Sequence, residues 1–163
     1  MEQLKVENII IGKQFELSEN FEKFQRIVSE LKINVFVVDA GDKINIEKDM
    51  FFDVLWPDSS NIISENSINN NAIVCKFNYK SFSMLFTGDI EEEAEKVLVS
   101  KYGGTDILKS TVLKVAHHGS KSSSIQGFLE LASPKIALIG VGENNKFGHP
   151  NLGVIERLDE LRC

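Results

Sequence analysis

Short apolar segments alternate with segments of helical periodicity along most of this 163-residue chain. Residues 33–38 are typical of a strand, because β-branched and aromatic side chains suit a pleated surface. Before them, Phe21, Phe24 and Val28 recur at the spacing of one helix face. Such mixed alternation indicates a layered α/β fold, and a chain of this length usually forms one domain. We therefore predict a single α/β domain over residues 1–163.

Turn residues separate the apolar and helical segments and determine the bounds of the predicted elements. Gly103 and Gly104 end a helix, Pro150 precedes the last one, and residues 78–81 turn a hairpin. The Asn- and Ser-rich residues 59–71 are predicted to be one loop. The predicted strands cover residues 6–11, 33–38, 43–46, 51–56, 72–77, 82–86, 112–116 and 136–141. The predicted helices cover residues 18–31, 91–102, 124–132 and 152–161.

Composition and charge exclude several classes of protein. Lys and Arg number 18 and Asp and Glu 24, giving a net charge of −6, the wrong sign for holding nucleic acid by bulk electrostatics. Two cysteines, Cys75 and Cys163, support neither a disulfide framework nor a thiolate zinc cluster. No apolar run reaches about 18 residues and no signal peptide is recognisable. We expect a cytoplasmic protein, or a soluble domain of a membrane-linked parent without membrane contacts of its own.

The three histidines are the principal candidates for chemistry. His117, His118 and His149 each follow a predicted strand or lie in the loop after one, and Asp89 has the same setting. Strand ends meet at one edge of an α/β sheet, where ligands commonly bind. Imidazole and carboxylate are ligands for zinc or manganese, and a carboxylate can bridge two metals. The spacing is also compatible with Asp89 as a helix N-cap and with His118 and His149 as turn residues.

Other polar clusters have plainer explanations. A serine nucleophile at Ser120 is poorly supported, because the Gly-x-Ser-x-Gly elbow is absent and adjacent residues seldom orient as nucleophile and base. Hydroxyls and N–H groups here are expected to begin the helix near Ser124 or to contact a substrate phosphate. Glu91, Glu92 and Glu93 are interpreted as a solvated helix start. We assign four apolar residues to the core: Met50, Phe51, Phe52 and Trp56.

Several strings in fixed order point to a known family. They are Asn69-Asn70-Asn71, Leu85-Phe86-Thr87-Gly88-Asp89-Ile90-Glu91, Leu113-Lys114-Val115-Ala116-His117-His118-Gly119-Ser120-Lys121-Ser122-Ser123, and Gly142-Glu143-Asn144-Asn145-Lys146-Phe147-Gly148-His149-Pro150. From about Val35 onward the chain resembles the metallo-β-lactamase-fold hydrolases. More narrowly it looks like their competence branch, the hydrolase domain of ComEC-type DNA-internalisation proteins.

The resemblance implies an αββα sandwich with a two-metal site that hydrolyses a phosphodiester or similar ester. Asp89 takes the place of the metal-bridging aspartate and His149 that of the last metal-binding histidine. His118, with His117, matches the histidine pair that either ligates metal or contacts the phosphate and protonates the leaving group. Substrate contacts are expected from three further residues: Asn71, Ser120 and Lys121.

One departure from the family pattern limits the expected activity. Members carry a His-x-His-x-Asp-His type of motif in the first half of the domain, whereas no histidine precedes His117 here. We therefore expect a truncated domain that lacks the strands bearing this motif and holds at most one divalent metal loosely, since catalytic zinc commonly needs three protein ligands. An open sheet edge also predicts a homodimer.

Three functional hypotheses follow from the sequence. The first is a fragment of a metal-dependent hydrolase that cleaves DNA phosphodiesters during uptake, with zinc or manganese bound in the complete parent and the present chain inactive alone. The second is a non-catalytic or degenerate module of the same fold. The third is a hydrolase of a small ester, such as a phosphocholine ester.

Overall fold

The computed structural model describes residues 5–13 and 19–163. Met1, and Ser18 at the predicted start of the first helix, lie outside the described residues. The strands are β1 (Asn8–Gly12), β2 (Asn34–Val38), β3 (Lys43–Glu47), β4 (Met50–Trp56), β5 (Val74–Tyr79), β6 (Phe82–Phe86), β7 (Val112–Lys114) and β8 (Ile136–Leu138). The helices are α1 (Glu19–Glu30), α2 (Ser67–Asn70), α3 (Glu92–Tyr102), α4 (Gln126–Ala132) and α5 (Leu152–Glu160), with a short 3₁₀ turn at Ala116–Gly119.

The described strands form two sheets. β1 and β2 pair in parallel as a two-stranded sheet. The other six lie in sequence order from β3 to β8, antiparallel as far as β6 and parallel from β6 through β8. The α/β class is thereby confirmed, whereas the αββα sandwich stays a prediction.

The core lies where α3, α4 and α5 cover the six-stranded sheet. Leu85 of β6 and Leu113 of β7 are buried beneath Leu98 of α3 and Phe128 of α4. Trp56 is also buried, and its indole N–H donates to the Asn70 carbonyl oxygen over 2.7 Å. Trp56 was correctly assigned to the core, whereas Met50, Phe51 and Phe52 are only half-buried.

Several predicted boundaries are wrong for local reasons. Residues 59–71 were predicted to be loop throughout but contain α2, which follows Asn66 in a left-handed conformation. The hairpin turn shortens to Lys80 and Ser81, because the strands pair up to Tyr79 and Phe82. β7 and β8 have three residues each, fewer than predicted.

Helix starts also differ from the predictions. α3 begins after Glu91 rather than at an Asp89 cap, and α4 begins after Ile125 rather than at Ser124. α5 begins at Leu152 as predicted, and it is capped by Asn151, whose side-chain oxygen accepts the Gly153 amide N–H. No helix within residues 5–13 and 19–163 has both the length and the apolar character needed to cross a bilayer.

Candidate functional site

Three loops leave the same edge of the six-stranded sheet. β6, β7 and β8 are parallel neighbours, so the segments that follow them begin side by side. We call these segments, residues 87–91, 115–124 and 139–151, the histidine edge. The sequence placed Asp89, His117, His118 and His149 after strands, and the structure brings all four to this edge.

The paired histidines have an uncommon backbone conformation. His117 (φ 46°, ψ 43°) and His118 (φ 54°, ψ 25°) are both left-handed, a region that side-chain-bearing residues seldom occupy. The His117 amide N–H donates to the Gly88 carbonyl oxygen over 3.1 Å, which joins the β6 and β7 loops. His118 Nε2 lies 3.7 Å from Asp89 Oδ1, and its Nδ1 lies 2.5 Å from the Gly140 carbonyl oxygen. His118 therefore touches both neighbouring loops.

Gly119 allows the third loop to approach the paired histidines. Its φ is +76°, and a Cβ added there would lie 2.9 Å from Pro150 Cβ. Its carbonyl oxygen accepts the Asn151 amide N–H over 2.8 Å. A side chain at this position would force the two loops apart.

A row of aromatic rings runs through the third loop. The His149 ring packs edge-on against His117 at a centroid distance of 5.9 Å, and Phe147 stacks on His149 at 5.9 Å with 20° between planes. Asn145 fixes this loop, because its side-chain oxygen accepts the His149 amide N–H and its amide group donates to the His149 carbonyl oxygen.

Glu91 belongs to the site, contrary to its interpretation as a solvated helix start. Its side chain is only 13% exposed, and Oε1 lies 3.2 Å from His117 Nδ1. The Nδ1 atom has no aligned hydrogen-bond partner, so this is a close polar contact rather than a hydrogen bond. Glu91 also accepts hydrogen bonds from Ser122 Oγ and Asn66 Nδ2. No sequence signal distinguished it from the exposed Glu92 and Glu93.

Of the two buried asparagines beside the site, Asn70 makes the contact with it. Its side-chain oxygen accepts the Glu91 amide N–H over 3.1 Å. The Asn71 amide group instead bonds to Ile63 and to the Ser67 carbonyl oxygen. Asn71 thus bonds within the loop around α2, and its contact with substrate stays a prediction.

A buried carboxylate stabilises residues 120–124, which we call the serine segment. Glu95 of α3 accepts the backbone N–H groups of Ser124 and Ile125 over 2.7 and 2.8 Å. Burial raises the pKa of Glu95 to about 7. In the same segment Ser120 is buried, and its hydroxyl lies 3.0 Å from the hydroxyl of Ser122. Lys121 is exposed. Glu95, which the sequence analysis missed, shapes the segment that follows the paired histidines.

The side chains of the histidine edge do not complete a metal site. Within residues 5–13 and 19–163, no three His, Cys, Asp or Glu side chains are grouped so that they could hold a metal ion. Asp89 lies beside His118, but His149 packs against His117. Since catalytic zinc commonly needs three protein ligands, these residues alone do not fit the metal centre that the resemblance implies. We derive no metal-dependent step from them.

Fold and site together define an α/β domain with histidines and carboxylates gathered at the carboxyl edge of parallel strands. No family model matches the chain. It is 34% identical over 154 residues, 94% of its length, to ComE operon protein 3 of Bacillus subtilis. It is 36% identical over 107 residues to competence protein ComA of Neisseria gonorrhoeae, and 31% identical over 113 residues to recombination protein 2 of Haemophilus influenzae.

The chain is therefore homologous to a segment of the ComEC-type competence proteins. It spans 19%, 15% and 13% of the length of the three relatives, respectively. The resemblance was placed from about Val35 onward, and this bound is too narrow because the first match covers 94% of the chain.

Proposed function

We propose that the chain is part of a hydrolase domain in a DNA-uptake protein, and that the histidine edge binds the phosphodiester backbone of DNA. The observation that carries the proposal is the convergence of three histidines and two carboxylates on one edge, in a homologue of competence proteins. Histidine is the side chain best suited to exchange protons near neutral pH, and charged imidazole donates hydrogen bonds to phosphate oxygens.

The arrangement gives the paired histidines different surroundings. His117 is half-buried between Glu91 and His149, which hold its ring in place. His118 is exposed and is approached by Asp89 and the Gly140 carbonyl oxygen. We assign contact with the substrate phosphate to His118 and to the exposed Lys121, and the proton-transfer role to either histidine of the pair.

Hydrolysis by the mechanism that the resemblance implies would need a divalent metal to supply an activated water, and the described side chains do not hold one by themselves. We therefore propose that this chain binds DNA without cleaving it. The same observation favours a second candidate function, a non-catalytic module of the same fold. The two candidate functions differ in one respect. In the first, DNA binding depends on the histidine edge, and in the second it does not.

The test measures binding and cleavage of one fluorescent single-stranded oligonucleotide at low salt, with and without Mn²⁺ or Zn²⁺. We expect binding that weakens in His118→Ala and Lys121→Ala, and no cleavage. Lys48→Ala, at an exposed residue between β3 and β4, is the matched control for loss of one positive charge.

Each other outcome has a defined meaning. Binding that is unchanged in both site variants would favour the non-catalytic module. Metal-dependent cleavage lost in Asp89→Ala and His149→Ala would show that the site is complete in this chain. Failure to bind DNA at any salt concentration would overturn the proposal.

A further inference from the structure

The two most exposed large apolar residues of the described chain flank His149. Phe147 is 81% exposed and Leu152 is 77% exposed, more than any other large apolar side chain in residues 5–13 and 19–163. Single exposed apolar residues are common on protein surfaces and need no explanation. Here, however, the two most exposed cases lie within six residues of each other, one in the third loop of the histidine edge and one at the helix start that follows this loop.

The orientation of Phe147 is the second observation. Its ring is nearly parallel to that of His149, with 20° between planes, and His149 in turn packs against His117. Offset stacking at this centroid distance is a favourable arrangement for aromatic rings. The row therefore begins at His117 within the site and ends at a ring whose outer surface faces solvent.

We propose that Phe147 is a stacking platform for a nucleobase of single-stranded DNA, next to the backbone-binding histidine edge. The inference rests on the proposed function and names its substrate class. An aromatic ring stacks on any base, and exposed Lys146 beside it attracts phosphate. Inside a DNA duplex both faces of each base are already covered by its neighbours, so we expect this platform to select an unpaired base.

Leu152 is exposed where the third loop ends. It is the first residue of α5, whose start is fixed by the Asn151 cap. Asn151 in turn is tied to Gly119 beside the paired histidines. A hydrogen bond thus connects the end of the loop that carries Phe147 to the segment that carries the paired histidines, and we expect a strand that contacts His118 to place a base on Phe147.

The experiment compares Kd values for three fluorescent probes of equal length in EDTA: a single-stranded oligonucleotide, its abasic counterpart, and a blunt duplex. Phe147→Ala should weaken binding of the base-bearing single strand by about 5- to 100-fold, because one base loses its stacking partner. Binding of the abasic strand and of the duplex should change less than twofold. Phe36→Ala, at a 53% exposed phenylalanine in β2, should leave all three Kd values unchanged.

A tryptophan variant gives a spectroscopic readout that a merely structural role would not produce. In Phe147→Trp the new indole is exposed, whereas native Trp56 is fully buried. Bases that stack on the new indole should quench its emission, and the abasic strand should not.

The probes separate failure of this inference from failure of the proposed function. If the abasic strand binds through His118 but Phe147→Ala has no effect on the base-bearing strand, the stacking role is wrong and backbone binding stands. The stacking role would also be wrong if Phe147→Ala weakened binding of the duplex as much as binding of the single strand. If none of the three probes binds, both proposals fail.

Discussion

The carboxylate of Glu95 accepts the backbone N–H of Ser124 over 2.7 Å, although the two residues are 29 positions apart and Glu95 has no exposed surface. The same carboxylate accepts the Ile125 N–H, so it satisfies two amide groups where α4 begins. Arg157 of α5 donates to the carbonyl oxygens of Ser123 and Ser124. Side chains from two helices, α3 and α5, thereby fix the segment that precedes α4 in the histidine edge.

The burial of Glu95 predicts a specific dependence of stability on pH. Burial raises its pKa from 4.5 to about 7, so between these pH values the folded state binds more protons than the unfolded state. The stabilisation is fully present below pH 4.5 and is lost as the pH rises through about 7. Relative to Glu95→Gln, the wild type should lose up to roughly 3 kcal/mol of unfolding free energy between pH 5 and pH 8.

Urea denaturation at both pH values measures this difference. Glu93→Gln, which removes an exposed carboxylate of the same helix, should keep the wild-type pH dependence. The prediction is wrong if the unfolding free energies of wild type and Glu95→Gln change by the same amount between pH 5 and pH 8.

Gly119→Ala is expected to destabilise the protein. The new methyl group would meet Pro150 Cβ at 2.9 Å, and the left-handed backbone at φ +76° disfavours a side chain by about 1–2 kcal/mol. Gly127→Ala is the matched control, because Gly127 lies in α4 with open space around its Cβ position and should gain about 0.5–1 kcal/mol. Thermal unfolding of both variants measures the contrast, and a Gly119→Ala protein as stable as wild type would contradict it.

Metal titration tests directly whether the histidine edge binds a divalent metal. Because no three suitable side chains are grouped in the described residues, calorimetry with Zn²⁺ or Mn²⁺ should show no tight one-to-one binding. Asp89→Ala and His149→Ala should give the same weak heats as wild type. Tight binding that both substitutions abolish would mean that these side chains rearrange around a metal.

The homodimer was predicted from a sheet edge left open by missing strands, and we propose β8 as a second edge through which two copies could pair. β8 is the last strand of the six-stranded sheet, and Ile136 and Leu138 are 51% and 46% exposed. An apolar strand edge can pair with a second copy, and a charge there opposes pairing. Sedimentation should show a mass that rises with concentration for wild type but not for Leu138→Lys, whereas Ile62→Lys, in an exposed loop, should behave like wild type. A concentration-independent monomer mass would count against the dimer.

Much of the secondary structure follows from local pattern. The helix that contains Phe21, Phe24 and Val28 was predicted from its apolar spacing, and the β5–β6 hairpin from two apolar runs around a turn. Boundaries were less accurate where tertiary contacts decide them. The start of α4 was assigned to Ser124 because serine is a good N-cap, yet the cap is the Glu95 carboxylate from another helix.

The sequence alone determined the α/β class, because hydrophobic periodicity is a local property, and it determined the position of the histidines after strands. Only the tertiary structure decided which side chains join them. Glu91 reaches His117, and Asn70 reaches Glu91, while the neighbours Glu92 and Asn71 turn elsewhere. These contacts join residues that are 26 and 21 positions apart in the chain, and the parallel pairing of β6 with β7 places Glu91 beside His117. Neither composition nor spacing along the chain carries that information.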